Sequence, residues 1–390
     1  MVLTGLDLAA AAFPKRYAGK RCGLLCHPAS VNARLVHAVD ALMACKKILL
    51  TALFGPQHGI RGETQANMIE WQGFTDSRTG LPVNSLYGSH RTPTPAMLSN
   101  IDALIVDLCD VGARYYTYIW TLDLCMEACC GAGKGVVVLD RPNPINGIDI
   151  EGPLLDETRF ASFVGQKRLP VRHGLTIGEI ARYLQKQYYP KLDLHVVPMK
   201  GWRRNMYFEQ TGLPWVMPSP NMPTIDTTLV YPGMCLLEAT ILSEGRGTTR
   251  PFEFYGAPFI DPFRLARVLE KFALPGVRFR PAWFTPTFDK FKAKLCGGVQ
   301  LHISNRRCFK PFLTGLMCIY AVMRLYPGSF RWIKPPYEYE RKKMPIDILC
   351  GTDRIRKALE KRCTPAGIEA LYRKDCASFA SVRGPHLLYS

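Results

Sequence analysis

Side chains able to hold and transform a polar ligand fall in a few short phrases of this chain. Gly55-Pro56-Gln57-His58-Gly59-Ile60-Arg61-Gly62-Glu63 sets a histidine and an arginine among glycines, with Glu70 a little further on. Glycine lets backbone approach a ligand closely, so Gln57, His58 and Arg61 are candidate binding groups. Glu63 and Glu70 are carboxylates able to move protons beside them. Asp107 and Asp110 bracket the end of an apolar run, and Arg114, Tyr115, Tyr116 and Tyr118 follow. Arg114 either closes a buried pair with an aspartate or grips a substrate carboxylate with its planar fork, the tyrosines stacking on the substrate. Asp140-Arg141-Pro142-Asn143-Pro144, running on to Glu151-Gly152-Pro153, is a proline-stiffened polar loop. There Asn143 offers a preorganised amide to a sugar hydroxyl, and Glu151 and His173 are further candidates for the same crevice. In the second half, Asn221 lies in a proline-rich stretch, and Glu244 and Arg246 sit among glycines in Ser243-Glu244-Gly245-Arg246-Gly247.

What must position these groups is a set of apolar runs that each stop in a polar phrase. RCGLLC, ILLTALF, ALIVDLC and GVVVLD predict strands over 21–27, 47–54, 102–109 and 135–140. Runs this continuous suit strands buried on both faces of a parallel sheet. Helices are expected over 34–45 and 114–131, and a further strand over 192–198. Thr176 followed by Glu179 makes a capping box for a helix running to about Tyr188. The alternation predicts an α/β fold with a Rossmann-like parallel sheet, whose strand ends open on one ligand-binding edge. Residues 56–92 form a loop too long for a plain connector, and Trp71, Phe74 and Tyr87 argue for order within it. The proline-rich stretch 214–224 predicts a boundary near 226. Residues 1–226 would then form the Rossmann-like domain, and 227–390 a smaller α+β domain closing a cleft, with a strand at 299–303 and a helix at 314–325.

Several function classes are disfavoured. The turn after the first strand reads HPASVN and lacks the Gly-x-Gly-x-x-Gly of dinucleotide binding, while Gly131-Ala132-Gly133-Lys134-Gly135 leads into a strand and not a helix. Fourteen cysteines in 390 residues include no C-x-x-C pair, against a zinc site or a regular disulfide framework. They suit a reducing compartment, and a cytoplasmic address is expected. No stretch approaches the roughly 18 apolar residues of a membrane span, and the N-terminal charges follow the small-residue run instead of preceding it. The formal charge of +18 favours anionic partners. No nucleic-acid-binding motif accompanies it, so no specific nucleic-acid partner is expected.

The phrases GPQHGIRG, DLCDVGARYYTYIWT, VLDRPNPINGIDIEGP, HGLTIGEIA, PSPNMPT, YPGMCLLEATILSEGRGTTRPFEFYGAP and PPYEYERKKMPIDILCG occur in this order from about residue 21 to near the end. Together they resemble the DUF1343 family, the exo-acting N-acetylmuramidases of the NamZ type. The resemblance implies a Rossmann-like N-terminal domain, a smaller C-terminal domain and an active site between them. It also implies release of terminal N-acetylmuramic acid from peptidoglycan fragments, a small saccharide or muropeptide as partner, and neither metal nor organic cofactor. Its positions carry over onto His58, Arg61, Asp107, Asp110, Arg114, Tyr118, Asn143, Asn221, Glu244 and Arg246. At one position the chain departs: family members have glutamate in the phrase PEHG, a candidate catalytic acid, where this chain has Gln57. Glycoside hydrolysis ordinarily uses a protonated carboxylic acid and a second carboxylate across the sugar ring. The expected pair is therefore Glu63 or Glu70 with Glu244. Arg114 or Arg246 would bind the lactyl carboxylate, and Asn143, Asn221 and His58 the hydroxyls. A non-catalytic sugar-binding protein of the same fold is the alternative that Gln57 raises.

Overall fold

The computed structural model describes residues 1–62, 64 and 69–390. Seven strands build the first sheet: β1 (Arg21–Cys26), β2 (Leu49–Gly55), β3 (Phe74–Thr75), β4 (Pro82–Ser85), β5 (Ala103–Asp107), β6 (Gly135–Leu139) and β7 (Leu194–Val197). Their order is β3-β4-β2-β1-β5-β6-β7, and every neighbouring pair is parallel except β3 with β4. All residues of β5 and β6 are buried, as expected for strands covered on both faces. The chain steps from β1 to β2 on one side and later to β5 on the other. The strand order therefore reverses between β1 and β5, the place where open α/β sheets bind ligands.

The sequence expectations hold for the long elements and shift at their ends. The helix Ile177–Tyr188 carries the expected capping box, with Thr176 and Glu179 each serving the other's backbone N–H. The helix expected from 114 begins only at Tyr118, because Arg114 N–H is already bonded to the Val171 carbonyl. The loop expected over 56–92 contains β3 and β4. These are two- and four-residue strands without an apolar run, one of them opening on a proline, so periodicity had nothing to report.

The second sheet is antiparallel, in the order β8 (Phe254–Ala257), β10 (Cys296–Ile303), β9 (Val277–Phe284). The helix Pro311–Leu325 lies nearly fully buried and crosses the helix Ile225–Met234 at a glycine contact. A Cβ on Gly233 would stand 1.9 Å from the Pro311 carbonyl oxygen, so no larger residue fits that crossing. One apolar core runs from Leu25 to Phe379 through both lobes. The chain end returns to the first lobe: Arg383 donates to the carbonyls of Gly147, Ile148, His173 and Gly174, and Leu388 N–H to Glu179. Groups facing each other across the lobes are thus held by shared packing. Among the described residues no helix is long and apolar enough to cross a membrane.

Candidate functional site

Where the end of β2 meets the second lobe, a hollow leaves about 500 Å³ of empty space, part of it open to solvent. The first lobe contributes Gln57, His58 and Tyr115 to Tyr118; the crossing segment contributes Ser219, Asn221 and Met222. The second lobe contributes Glu238, Arg246, Phe252, Tyr337 and Glu338.

Gln57 is fixed by its amide. Its Nε2 donates to the Tyr87 hydroxyl at 3.2 Å, and its Oε1 accepts from the Thr117 hydroxyl at 2.9 Å. The Tyr118 hydroxyl lies within 3.3 Å of the Gln57 carbonyl and donates to that of Pro218 at 2.7 Å. His58 has a φ of 70°, and its Nδ1 donates to the Thr64 carbonyl at 2.8 Å, which leaves Nε2 as the ring's acceptor. Burial, against that hydrogen bond and with help from the Arg246 charge, lowers its pKa to about 4. The ring is neutral at pH 7.

Arg246 organises the acids. Its Nη2 donates to Glu238 at 2.6 Å, its Nε lies 3.2 Å from Glu244, and its guanidinium sits 4.9 Å from the Phe252 ring centre. Lys290 holds the far side of Glu244 at 3.0 Å. Glu238 also accepts from the Tyr337 hydroxyl at 2.8 Å. Burial alone would raise the Glu238 carboxyl, but Arg246, Tyr337 and Lys290 outweigh it and hold it below its ordinary value.

Glu338 has the opposite fate. It is 5% exposed, and its Oε2 has no hydrogen-bond partner among the described residues. Burial first and the charge of Glu238 second push its pKa up to about 7, against the smaller pull of Arg246, Arg91 and Tyr87. Charge counting agrees, since Arg246 and Lys290 already balance Glu238 and Glu244; a further anion would be unmatched. Glu338 is delivered by a tight turn in which Tyr337 and Glu340 exchange two backbone hydrogen bonds of 2.9 Å. Its central residues, Glu338 and Tyr339, have φ of 43° and 69°. Left-handed non-glycine residues cost on the order of 1–3 kcal/mol each and persist where surroundings over-determine them. Here the Arg91 guanidinium lies 3.5 Å from the Tyr339 ring centre, and the Tyr339 hydroxyl donates to Glu70 at 3.3 Å.

Of the residues expected from sequence, the hollow thus gathers Gln57, His58, Tyr118, Asn221 and Arg246. Others stand elsewhere. Glu70 is exposed at the rim, against Tyr339. Glu63 lies outside the described residues. Glu244 is 2% exposed and locked behind Arg246 and Lys290, so the expectation that it faces a substrate is corrected. Arg61 pairs with Asp76 beside a separate shallow groove.

Arg114 requires the largest correction. It is fully buried, its Nη1 and Nη2 donate to the carbonyls of Pro153, Leu169 and Leu349, and its Nε is buried without a partner among the described residues, so it is closed to any ligand. Nor does it pair with Asp107, which takes both arms of Arg141 at 2.6 Å. Asn143 turns inward to the Leu175 carbonyl and the Ile145 N–H. Glu151 caps the helix Pro311–Leu325 by accepting from the N–H groups of Phe312 and Leu313. His173 is fully buried, 3.0 Å from Asp110. Glu238 and Glu338 are not among the residues expected from sequence. Glu238 sits inside the apolar run LLEAT, and Glu338 inside a stretch that looks like a basic tail. An acid between two tyrosines after two prolines was the available signal. No group of three or more His, Cys, Asp or Glu side chains placed to hold a metal ion exists among the described residues.

A family model described as Exo-beta-N-acetylmuramidase NamZ, N-terminal, matches residues 22–226, and its C-terminal counterpart matches 229–389. The chain is 46% identical over 388 residues to the peptidoglycan beta-N-acetylmuramidase NamZ of Bacillus subtilis, covering 100% of this chain and 91% of that protein. Two crystal structures of DUF1343-family proteins from Bacteroides fragilis superpose on it with TM-scores of 0.88 and 0.78, at 35% and 30% identity. Each covers 100% of this chain and 99% of its own.

Proposed function

The chain belongs to the exo-β-N-acetylmuramidase NamZ family, and on that premise we propose that it hydrolyses the terminal N-acetylmuramic acid linkage of peptidoglycan fragments with Glu338 as the proton donor. The observation that carries this reading is the divergence of two neighbouring acids in one hollow, Glu338 raised to about 7 and Glu238 lowered. Such a split separates an acid from a base. Glu338, with a pKa raised to about 7, keeps a substantial protonated fraction near neutral pH and gives its proton to the glycosidic oxygen as the bond to the anomeric carbon breaks. Glu238 stays ionised, faces the positive charge that develops on the sugar, and takes a proton from the water that adds to the anomeric carbon in place of the leaving group. Gln57 cannot lose and regain a proton, and its amide is committed to Tyr87 and Thr117, so the acid role passes to the other lobe. Pairing of Arg246 through Nη2 and Nε leaves Nη1 for the lactyl carboxylate. His58 Nε2 accepts from a sugar hydroxyl, and Asn221 bonds a second polar group. Fourteen free cysteines support a cytoplasmic setting acting on small muropeptides.

The test is release of product from a chromogenic N-acetylmuramide. Wild type turns over, and Glu338→Gln loses about 10²–10⁴-fold in kcat, the usual contribution of a general acid. Full rate in Glu338→Gln rejects the assignment. The second reading, sugar binding without turnover, draws on Gln57 itself; it requires calorimetric binding of N-acetylmuramic acid by a wild type that releases nothing.

A further inference from the structure

The hairpin of β9 and β10 reaches from the edge of the second sheet to the acids of the hollow. Its loop, residues 285–295, holds three left-handed residues that are not glycine: Asp289, Phe291 and Ala293, with φ of 64°, 58° and 59°. Such residues are costly and persist where their surroundings fix them. Thr287 gives both its N–H and its hydroxyl to the Gly247 carbonyl, at 2.9 and 3.0 Å. The Ala293 N–H donates to the Pro286 carbonyl at 2.8 Å, and Phe291 packs against the main core. Gly247 has a φ of 77°, and a Cβ there would stand 2.7 Å from the Phe288 nitrogen. The loop and the segment that carries Arg246 are therefore seated on each other without room for a methyl group.

What this loop delivers is Lys290. Its Nζ donates to the carbonyls of Leu237 and Leu242 at 2.9 and 3.1 Å, and to Glu244 Oε2 at 3.0 Å. An ammonium has three protons, so its capacity is spent. The two carbonyls come just before Glu238 and Ser243, so one cation ties both ends of the segment 237–242 to the carboxylate that follows it. Glu244 Oε1 lies 3.2 Å from Arg246 Nε, and Glu238 takes Arg246 Nη2 at 2.6 Å. Two cations thus face two carboxylates, and Arg246 gives one nitrogen to each. Without the Lys290 charge, Arg246 alone would answer both acids, and the released oxygen of Glu244 would compete for Nη1. Removing one partner of a buried pair leaves a charge that must find another.

We infer that Lys290 is a positioning residue for specificity: held on its loop, it neutralises Glu244 and so keeps Arg246 Nη1 available to an anionic sugar. This rests on the reading of the hollow as the muramic-acid site. Preference for a sugar bearing a lactyl carboxylate over the uncharged N-acetylglucosamine is then set by a residue that does not line the hollow.

The experiment is calorimetric titration of the full chain with N-acetylmuramic acid and, separately, with N-acetylglucosamine. Wild type is expected to bind the first more tightly. Lys290→Met keeps the stem and removes the charge; it is expected to weaken binding of N-acetylmuramic acid about tenfold or more and to leave that of N-acetylglucosamine near wild type. A merely structural role would weaken both alike. Gly247→Ala displaces the loop with the lysine still present, should show the same selective loss, and carries the test if Lys290→Met does not fold. In a variant whose thermal melt shows the fold intact, equal loss for both sugars or unchanged affinity for N-acetylmuramic acid overturns the proposal. A wild type without preference between the sugars removes the muramic-acid reading of the hollow, and this inference with it. Binding involves no turnover, so the inference can fail while Glu338→Gln still abolishes hydrolysis, or succeed in a protein that does not hydrolyse.

Discussion

The strand-end loops of the first lobe and the turn 337–340 of the second both place charged side chains out of water, and they do so on different terms. Arg114, Asn143 and Glu151 have their bonds made by backbone: three carbonyls for the arginine, one carbonyl and one N–H for the amide, two helix N–H groups for the acid. Satisfied in this way, a polar group costs little and fixes the path of the chain. Glu338 instead sits in a left-handed turn, with an oxygen unpartnered among the described residues and a like charge beside it. Its position is maintained by neighbours, and its proton is held by their electrostatics. An unpartnered polar atom occurs in both regions, on Arg114 Nε and on Glu338 Oε2; what separates them is that three backbone carbonyls anchor the Arg114 guanidinium, whereas Glu338 stands beside a like charge.

That contrast predicts that substitutions in the two regions fail differently. The largest effect is expected at Glu338, where Gln removes the donor and lowers kcat by about 10²–10⁴-fold without loss of fold. The folded-state pKa of this group, about 7, lies above its ordinary 4.5. Its protonated form is therefore favoured by folding, and its contribution to stability is full below pH 4.5 and lost as pH rises through 7. Thermal melts should show wild type losing stability across that window relative to Glu338→Gln, while kcat should stay level below about pH 6 and fall as pH rises through about 7.

Next comes Arg114→Ala, which strands three buried carbonyls. Denaturant titration should show a loss of about 3 kcal/mol or more, with KM of the folded fraction near wild type. A large change in KM at full stability would break the comparison by restoring Arg114 to the ligand site.

Arg91→Ala is expected to sit between the two behaviours. Losing the guanidinium over Tyr339 costs about 0.5–1 kcal/mol of stability, yet it loosens the turn that aims Glu338. A roughly tenfold fall in kcat with little change in KM is the anticipated pattern. The smallest effect belongs to Asn143→Ala, about 1–2 kcal/mol in a melt from its lost turn bonds, with steady-state constants unchanged.

Much of this was visible in the order of residues, and the reasons for the remainder are specific. Continuous apolar runs announced β1, β2, β5 and β6, because strands covered on both faces need no polar alternation. Thr176 and Glu179 announced a helix start because capping is local chemistry. Gln57 and His58 were legible from the end of β2 at the sheet's ligand-binding edge, whereas Tyr118, Asn221 and Arg246 were singled out by local phrases and by the family resemblance. Partner choice was not visible: Asp107 took Arg141 instead of Arg114, a selection made by three-dimensional proximity between segments far apart in the chain. Glu338 was hidden for a related reason. Its proton affinity arises from burial and from Glu238, a hundred residues earlier, against the opposing pull of Arg246, Arg91 and Tyr87.

The most direct test of the account is the titration of one carboxyl. Difference infrared spectra of wild type minus Glu338→Gln, followed across pH, should show the protonated carboxyl band persisting at pH 6 and disappearing through about 7. A band that vanishes near the ordinary glutamate value of about 4.3 would mean that Glu338 is already ionised where the enzyme must use it as an acid, and would contradict its role as the proton donor.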